Sequence, residues 1–455
     1  RPYVLASNDR GRSWRSIRGD LPERGTVYTL AQDHVDPALL FAGTEFGVFF
    51  TGDAGRRWIQ LTGGLPTIAA RELEIQRREN DLVVASFGRG FFVLDDYSPL
   101  RHIAARIRAD EAILFDVKDA WMYMETHRLG IGGKGFQGEQ FFTADNPPFG
   151  AIFTYYLPET LETGRQRRRK EEKSQRDGHE PIAYPGWETL RAEDREEPPA
   201  MVLTVRDAEG QVVRRLNGPV TAGFHRVAWD LRFPALVPTR LTPRVSAPWD
   251  PGPTGPMASP GRYTVSLSSR VDDRDEVLSD GRTFDAEAIG AAALPAADRQ
   301  RLLAFEQKTG RLQRAVLGTT RAIAQAQERI DHLQAAWLAT PGASPDLGAR
   351  LRAIELALAD LRDTLMGDST VASRHEPTPP SIVGRVQRIV SGHWSSTSAP
   401  TATHRRNYEI AATAFAALLP RFRSLMETDL ADVEEKMEAA GAPWTPGRIP
   451  RWKPE

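Results

Sequence analysis

A repeat of 44 residues opens the chain and constrains its fold more than any other feature of the sequence. Ser7–Trp14 returns as Thr51–Trp58, with Asp, Gly and Trp at the same places in both copies. A third pass follows at an offset of 43 residues, where Ala42–Phe50 is echoed by Ala85–Phe92. Such a period indicates one small supersecondary unit repeated along the chain, because a unit of this size cannot bury its apolar face alone.

The complete repeat contains four short segments rich in β-branched and aromatic residues between Gly, Asp and Pro. These segments predict strands at Val27–Asp33, Leu39–Thr44, Val48–Thr51 and Trp58–Leu61. Four strands in a period of 40–50 residues are typical of a β-propeller blade. Residues 1–100 hold two such blades and a fraction, which do not close a ring. We therefore expect the chain to be the C-terminal part of a longer protein.

The two repeated turns carry a more specific signal. Ser7–Trp14 and Thr51–Trp58 fit the pattern S/T-x-D-x-G-x-x-W and resemble the Asp-box, or BNR repeat, of sialidases, xyloglucanase-type glycoside hydrolases and sortilin (VPS10) propellers. Val84–Asp96 resembles the last blade of a bacterial group labelled sortilin-like or BNR-repeat glycosyl hydrolase. The resemblance covers the first hundred residues and implies a fold rather than an activity.

In an Asp-box the conserved residues build a turn. The Asp side chain accepts hydrogen bonds from backbone N–H groups, the Gly takes the turn, and the Trp packs between sheets. We assign this structural role to six residues: Asp9, Gly11, Trp14, Asp53, Gly55 and Trp58.

Ligands of propellers are expected on the opposite face, where the loops between the second and third strands lie. The residues of this chain that fall there are Glu45, Phe46, Arg71 and Arg89. A glycosidase needs two carboxylates roughly 5–9.5 Å apart. Glu45 would be one of them, and no second carboxylate occupies an equivalent position. The alternative is that Glu45 and Arg89 form a structural ion pair or a solvated rim.

The chain after the repeat divides by composition. Residues 101–163 predict a connecting β segment with strands at Asp116–Glu125 and Ala151–Tyr156. Residues 164–200 are the most polar stretch, in which a run of basic residues is followed at once by acidic ones, and predict a flexible insertion.

Residues 201–285 predict a small β-sandwich, and the chain then becomes helical. Strands with the patterns G-x-x-x-V-x-W-D and P-G-x-Y-x-V resemble a FlgD-type immunoglobulin-like module, in which Trp229 and Tyr263 would be core residues. Apolar residues at 3-4 spacing predict an α-helical bundle over 290–440, followed by a tail at 441–455. The predicted fold class is therefore multidomain, mainly β and then α.

Composition and motifs argue against several functions. The net charge of −1 does not favour nucleic acid, and no apolar run is long enough to span a membrane. With no cysteine and scattered histidines, we expect no metal site. Gly130–Gly135 fits the pattern G-x-G-x-x-G, but the residues that follow it are typical of a loop and not of the helix that a dinucleotide site requires. We therefore expect no cofactor.

These observations leave two functions open. The first is an exported binding scaffold that recognises a carbohydrate or an extracellular protein or peptide. The second is a glycoside hydrolase whose catalytic carboxylates lie mostly in N-terminal blades outside this chain. An extracellular or periplasmic location is expected for either. The sequence does not indicate the oligomeric state.

Overall fold

The computed structural model describes residues 2–102, 111–125, 144–242, 252–272, 274–289, 296–452 and 454. Strands make up most of the regular structure before residue 290, and helices follow it, so the predicted order of β and then α is confirmed. The chain divides into two compact units. Unit 1 comprises Arg1–Ala120, Asp145–Asp230 and Arg262–Asp285, and unit 2 comprises Trp121–Ala144, Leu231–Gly261 and Ala286–Glu455.

Unit 1 begins with three antiparallel sheets in which neighbours in sequence are neighbours in space. The first is a short pair, β1 (Leu5–Ala6) and β2 (Arg15–Ser16). The second contains, in this order, β3 (Val27–Gln32), β4 (Leu40–Thr44), β5 (Gly47–Thr51) and β6 (Ile59–Leu61). The third contains β7 (Ala70–Gln76), β8 (Asp81–Ser86) and β9 (Phe91–Leu94). The four strands predicted for the complete repeat thus form one sheet.

The central strands of the second sheet are buried on both faces. Every residue of β4 and β5 is buried. Phe41 and Phe50 belong to one apolar cluster, with residues of β7 and β8, whereas Leu40 and Phe49 belong to another, with Val4 and other residues of the N-terminal segment. This division follows from the two-residue period of a strand. The sheet is therefore packed between its neighbours in the sequence.

The rest of unit 1 is built mainly from two further sheets. One has the order β10 (Ile113–Leu114), β12 (Ala151–Leu157), β15 (Gly223–Trp229). The other has the order β11 (Ala120–Met122), β17 (Arg274–Ala288), β16 (Gly261–Val271), β13 (Ala200–Arg206), β14 (Val212–Gly218). Trp229 and Tyr263, which were predicted to be core residues, are buried with their ring centroids 5.1 Å apart. The single strand predicted at Asp116–Glu125 is shorter, because only β11 forms within it.

The sequence predicts a flexible insertion over the polar stretch 164–200, and the structure forms helices there. They are α1 (Gly164–Asp177) and α2 (Trp187–Glu193). A capping box between Thr163 and Gln166 starts α1. Arg168 then joins the two helices, with Nε and Nη2 each 2.6 Å from a carboxylate oxygen of Glu193.

Unit 2 is mainly helical. Its helices are α3 (Ala296–Leu338), α4 (Pro345–Met366), α5 (Ser369–Ala372), α6 (Ile382–His393), α7 (Ala402–Ser424) and α8 (Ala431–Ala439), with a π-helical turn at Leu425–Leu430 between the last two. Ser344 caps α4, and Pro345 stands in its first turn. Leucines and isoleucines at 3-4 spacing on α3 and α4 are buried together in one apolar cluster. The predicted seam is therefore the core of this unit.

Candidate functional site

The sheet β3–β6 presents two chemically different ends. Glu45 and Phe46 form the tip between β4 and β5, and the turn Thr51–Trp58 follows β5. Because β4 and β5 are antiparallel and five residues long, the two features lie about 15 Å apart along the strands. We call the end that carries Thr51–Trp58 the Asp-box end and the end that carries the tip the hairpin end.

At the Asp-box end, the turn Thr51–Trp58 is closed by hydrogen bonds from its own backbone. The Thr51 hydroxyl accepts from Gly55 N at 3.1 Å, and Asp53 Oδ1 accepts from Arg57 N at 2.9 Å. Burial alone would raise the pKa of Asp53, but these backbone donors and the Thr51 hydroxyl hold it below its usual value. Gly55 has φ +89°, and an added Cβ would stand 2.5 Å from the carbonyl oxygen of Ile17. The Asp53 carboxylate is therefore occupied with the turn itself.

The turn Ser7–Trp14 has the same local geometry. The Ser7 hydroxyl accepts from Gly11 N at 2.6 Å, and Asp9 accepts from the backbone N and the hydroxyl of Ser13 at 2.8 and 2.6 Å. Hydrogen bonds from Ser13 lower the pKa of Asp9 to about 2. This carboxylate also serves its own turn.

The two tryptophans of these turns differ. Trp58 is 7% exposed, and its Nε1–H donates to the carbonyl of Ile17 at 3.1 Å. Trp14 is 62% exposed, and its Nε1–H donates to Gly11 within its own turn. The packing between sheets that was expected for both is present for Trp58 and absent for Trp14.

A buried ionic network also lies at the Asp-box end. Arg101 donates to both carboxylate oxygens of Asp33, at 2.8 and 2.9 Å, and to Asn80 at 2.6 Å. The Tyr97 hydroxyl donates to Asp33 at 2.6 Å. Burial alone would raise the pKa of Asp33, but the hydrogen bonds from Arg101 and Tyr97 hold it well below its usual value. The network joins the turn after β3 to the segment after β9.

At the hairpin end, two β-bulges turn side chains outward. The register between β3 and β4 shifts between Val27 and Thr29, and that between β7 and β8 shifts between Ala70 and Glu72. The residues left without a cross-strand partner are Tyr28 and Arg71, 43 positions apart. Bulges re-aim side chains and occur frequently beside functional sites.

These bulges bring Arg71 between two aromatic rings. Its guanidinium carbon lies 4.1 Å from the ring centroid of Tyr28 and 5.1 Å from that of Phe87. Phe87 is 66% exposed. Within the described residues Arg71 forms no ion pair, so its charge faces solvent. We call Tyr28, Arg71 and Phe87 the arginine–aromatic cluster.

The other residues predicted for the ligand face are exposed at the same end. Glu45 Oε2 accepts from the backbone N of Thr26 at 3.4 Å, and the Phe46 ring lies beside Gly25. Arg89 is exposed in the turn between β8 and β9. Across the part of the chain that the structure describes, no ion pair joins Glu45 to Arg89, and neither bonds to Arg71. Of the four predicted residues, only Arg71 belongs to the arginine–aromatic cluster.

Sequence reasoning missed Tyr28 and Phe87. The only available signal was the offset of 43 residues between Tyr28 and Arg71, which places them at equivalent positions of consecutive repeats. A bulge depends on the register between two strands, and that register cannot be predicted from the sequence of either strand alone.

The carboxylates near the hairpin end have separate partners among the described residues. Glu72, the acidic residue next to Arg71, accepts a hydrogen bond from the Thr29 hydroxyl at 3.2 Å. Glu45 accepts from the backbone N of Thr26. The carboxylates of the first hundred residues whose pKa values are displaced are Asp9, Asp33, Asp53 and Asp95.

No group of three or more histidine, aspartate or glutamate side chains in the described part could hold a metal ion. No described helix is both long and apolar enough to cross a membrane. Gly130–Gly135, the segment with the G-x-G-x-x-G pattern, lies outside the described residues.

Comparisons with known proteins do not identify a family. No family model and no curated protein matches the chain. The solved structures that are similar in part include the extracellular domains of a putative one-component system and of a putative hybrid two-component system from B. thetaiotaomicron. Each is 10% identical, matches 63% of this chain and 28% of its own length, and gives a TM-score of 0.17. The chain thus spans less than a third of these structures.

Proposed function

We propose that this chain is part of an exported binding scaffold that recognises a glycan, peptide or protein at the hairpin end. The observation that supports this proposal most is the arginine–aromatic cluster, in which an exposed arginine, without a carboxylate partner among the described residues, lies between two rings. Arginine and aromatic residues are enriched where proteins bind partners.

The geometry of the cluster favours a ligand with an acidic group. The rings of Tyr28 and Phe87 lie against the guanidinium of Arg71. The N–H groups at the edge of a guanidinium match a carboxylate in a bidentate way. The rings and the neighbouring Phe46, 45% exposed, offer apolar surface for a sugar face or an apolar side chain. The ligand class that fits is an acidic sugar or an acidic peptide.

The finer architecture belongs to the same proposal. We infer that the sheets β3–β6 and β7–β9 are blades of an Asp-box propeller, and that the sheets containing Trp229 and Tyr263 form an immunoglobulin-like module. Supporting this are the consecutive antiparallel order of the strands, the matching hydrogen bonds of the two Asp-box turns and the repeat of 44 residues. An extracellular or periplasmic location follows from this architecture and is proposed with it.

The first experiment is a binding screen of the purified chain on arrays of glycans and acidic peptides. We expect retention of ligands that carry a carboxylate, and at least a tenfold loss of retention for Arg71→Ala. Arg57→Ala is the matched control, because Arg57 is exposed at the Asp-box end. Equal retention by the wild-type chain and both variants would contradict the proposal. Hydrolysis of an arrayed glycan that depends on Glu45 would favour the glycoside hydrolase instead.

A further inference from the structure

Unit 2 contains a buried polar cluster where α3, α6 and α7 meet. Glu306, Thr309 and Gln313 lie on one face of α3, because they are three and four residues apart, and none is more than 6% exposed. His393 ends α6 and is 2% exposed, and His404 lies in the first turn of α7. The rings of the two histidines are 4.4 Å apart between centroids.

Several polar atoms in and beside this cluster have no hydrogen-bond partner among the residues that the structure describes. They are Thr309 Oγ1, Gln313 Oε1, Nδ1 and Nε2 of His393, Nδ1 of His404 and Nε1 of Trp394. Native proteins leave few such atoms in their interiors, and a concentration of them requires an explanation. The Phe305 ring lies 5.7 Å from the His393 ring between centroids. Within the described residues, a proton added to His393 would therefore be a buried charge without a hydrogen-bond acceptor.

The other titratable and charged groups around the cluster do not supply that acceptor. Arg232 is a cation, and its Nη1 donates to the carbonyl of Trp394 at 2.7 Å. The Lys308 ammonium lies 4.1 Å from the Tyr408 ring centroid, and Arg311 is a further cation near that ring. On α6, Arg385 donates to Asn407 at 2.8 Å. Glu306 is the acidic group of the cluster, and it is itself buried.

Burial shifts the pKa values of His393 and Glu306 in opposite directions. Burial and the neighbouring His404 lower the pKa of His393 to about 4. Burial raises the pKa of Glu306 to about 8, although Arg232 acts against this. At neutral pH, His393 and most of Glu306 are therefore uncharged, so they offer each other no ion pair.

We propose that His393 is a proton-sensitive latch, which holds the end of α6 against α3 and against the start of α7 while its ring is neutral. Acidification charges this ring and releases these helix ends. The charge would be buried against the Phe305 and His404 rings, 5.7 and 4.4 Å away between centroids, and both ring nitrogens of His393 lack a hydrogen-bond partner among the described residues.

The stability that His393 contributes and the stability that Glu306 contributes change with pH in opposite directions. A histidine whose pKa is lower in the folded state contributes stability above its ordinary value of 6.5, and this contribution is lost as the pH falls towards 4. Glu306, whose pKa is raised, contributes stability below its ordinary value of 4.5, and loses it as the pH rises through 8. A loss of stability on acidification is therefore expected from His393, and a loss at alkaline pH is expected from Glu306.

Hydrogen–deuterium exchange of the whole chain, followed by mass spectrometry of its peptides, tests the latch. After correction for the intrinsic exchange rate, we expect amides of Ile382–His393 and of the first turns of α7 to exchange up to about 20-fold faster at pH 5 than at pH 7. This factor follows from pKa values of 6.5 and about 4 for His393 in the unfolded and folded states. Peptides of α4 (Pro345–Met366) serve as the internal reference and should not change.

Two variants separate the groups. His393→Phe should abolish the acceleration at pH 5, whereas Glu306→Gln, which keeps a neutral side chain, should retain it. Unchanged protection of the wild-type chain at pH 5, or equal acceleration in His393→Phe, would overturn the proposal.

A second measurement decides the case if His393→Phe does not fold. Histidine-labelled wild-type protein is titrated by NMR, with the signal of His393 assigned by its loss in a conservative variant, His393→Gln. The proposal requires a His393 ring that stays neutral well below pH 6. Titration of that ring near its ordinary value of 6.5 would refute the latch.

Discussion

The two ends of the sheet β3–β6 both carry charged and aromatic side chains, but these side chains face the interior at one end and solvent at the other. At the Asp-box end, Asp53 and Asp33 accept hydrogen bonds from within the fold, and the large aromatic ring of Trp58 is buried. At the hairpin end, Arg71 has no anionic partner among the described residues, and Phe87 is exposed. Side chains whose hydrogen-bond and charge partners lie within the protein stabilise the fold. Side chains that lack such partners are available to bind a ligand. Substitutions at the two ends should accordingly change different measurements.

The largest expected effect lies in the buried network of the Asp-box end. Arg101→Ala leaves Asp33, which is 4% exposed, without its cation. Breaking such a pair from one side costs about 3–5 kcal/mol of the free energy of unfolding. Differential scanning calorimetry of the whole chain should show the transition of unit 1 at a lower temperature. A transition unchanged in Arg101→Ala would show that the network does not stabilise this end.

A comparable loss of the free energy of unfolding is expected for a substitution of Trp58. The equivalent residue of the first turn, Trp14, supplies the control. Trp58→Ala removes a buried ring and its hydrogen bond to Ile17, which costs about 3–5 kcal/mol. Trp14→Ala removes an exposed ring and should change the free energy of unfolding by about 0.5 kcal/mol or less. Denaturant titrations of the two variants compare them directly. Equal losses would mean that Trp14 is buried in solution.

A smaller effect is expected in how the stability contributed by Asp33 depends on pH. The pKa of this carboxyl is held low in the folded state, so its contribution to stability is complete above its ordinary value of 3.8 and is lost as the pH falls below it. The wild-type chain should therefore exceed Asp33→Asn in stability at pH 6, and the difference should shrink between about pH 4 and 2. Unfolding midpoints of both proteins across this range measure it. A constant difference would exclude the charge of Asp33 as its origin.

The features that were predictable from sequence are those fixed by short stretches of chain. Each Asp-box turn closes on itself through hydrogen bonds within seven residues, such as that from Gly55 to Thr51. The same holds for the strand alternation of β4 and β5 and for the 3-4 spacing along α3. These patterns carry their own physical reason, so the corresponding elements lie close to where they were expected.

The features that were missed depend on distant partners. The ion pair that links α1 to α2 needs Glu193, 25 residues after Arg168. Trp14 and Trp58 have equivalent places in the repeat, and only the surrounding sheets decide that one is buried. The arginine–aromatic cluster similarly needs the alignment of two strand pairs before Arg71 reaches Tyr28. Sequence therefore indicated the turn chemistry of the Asp-box end more completely than the surface of the hairpin end.

The most direct test of the central claim is a calorimetric titration of one array-selected ligand into the wild-type chain and into Arg71→Lys. Lysine keeps the charge but loses the planar fork and the stacking between Tyr28 and Phe87. We predict that Kd rises at least tenfold in this variant, while its unfolding midpoint stays that of the wild type. Unchanged Kd in Arg71→Lys would contradict the assignment of binding to the arginine–aromatic cluster.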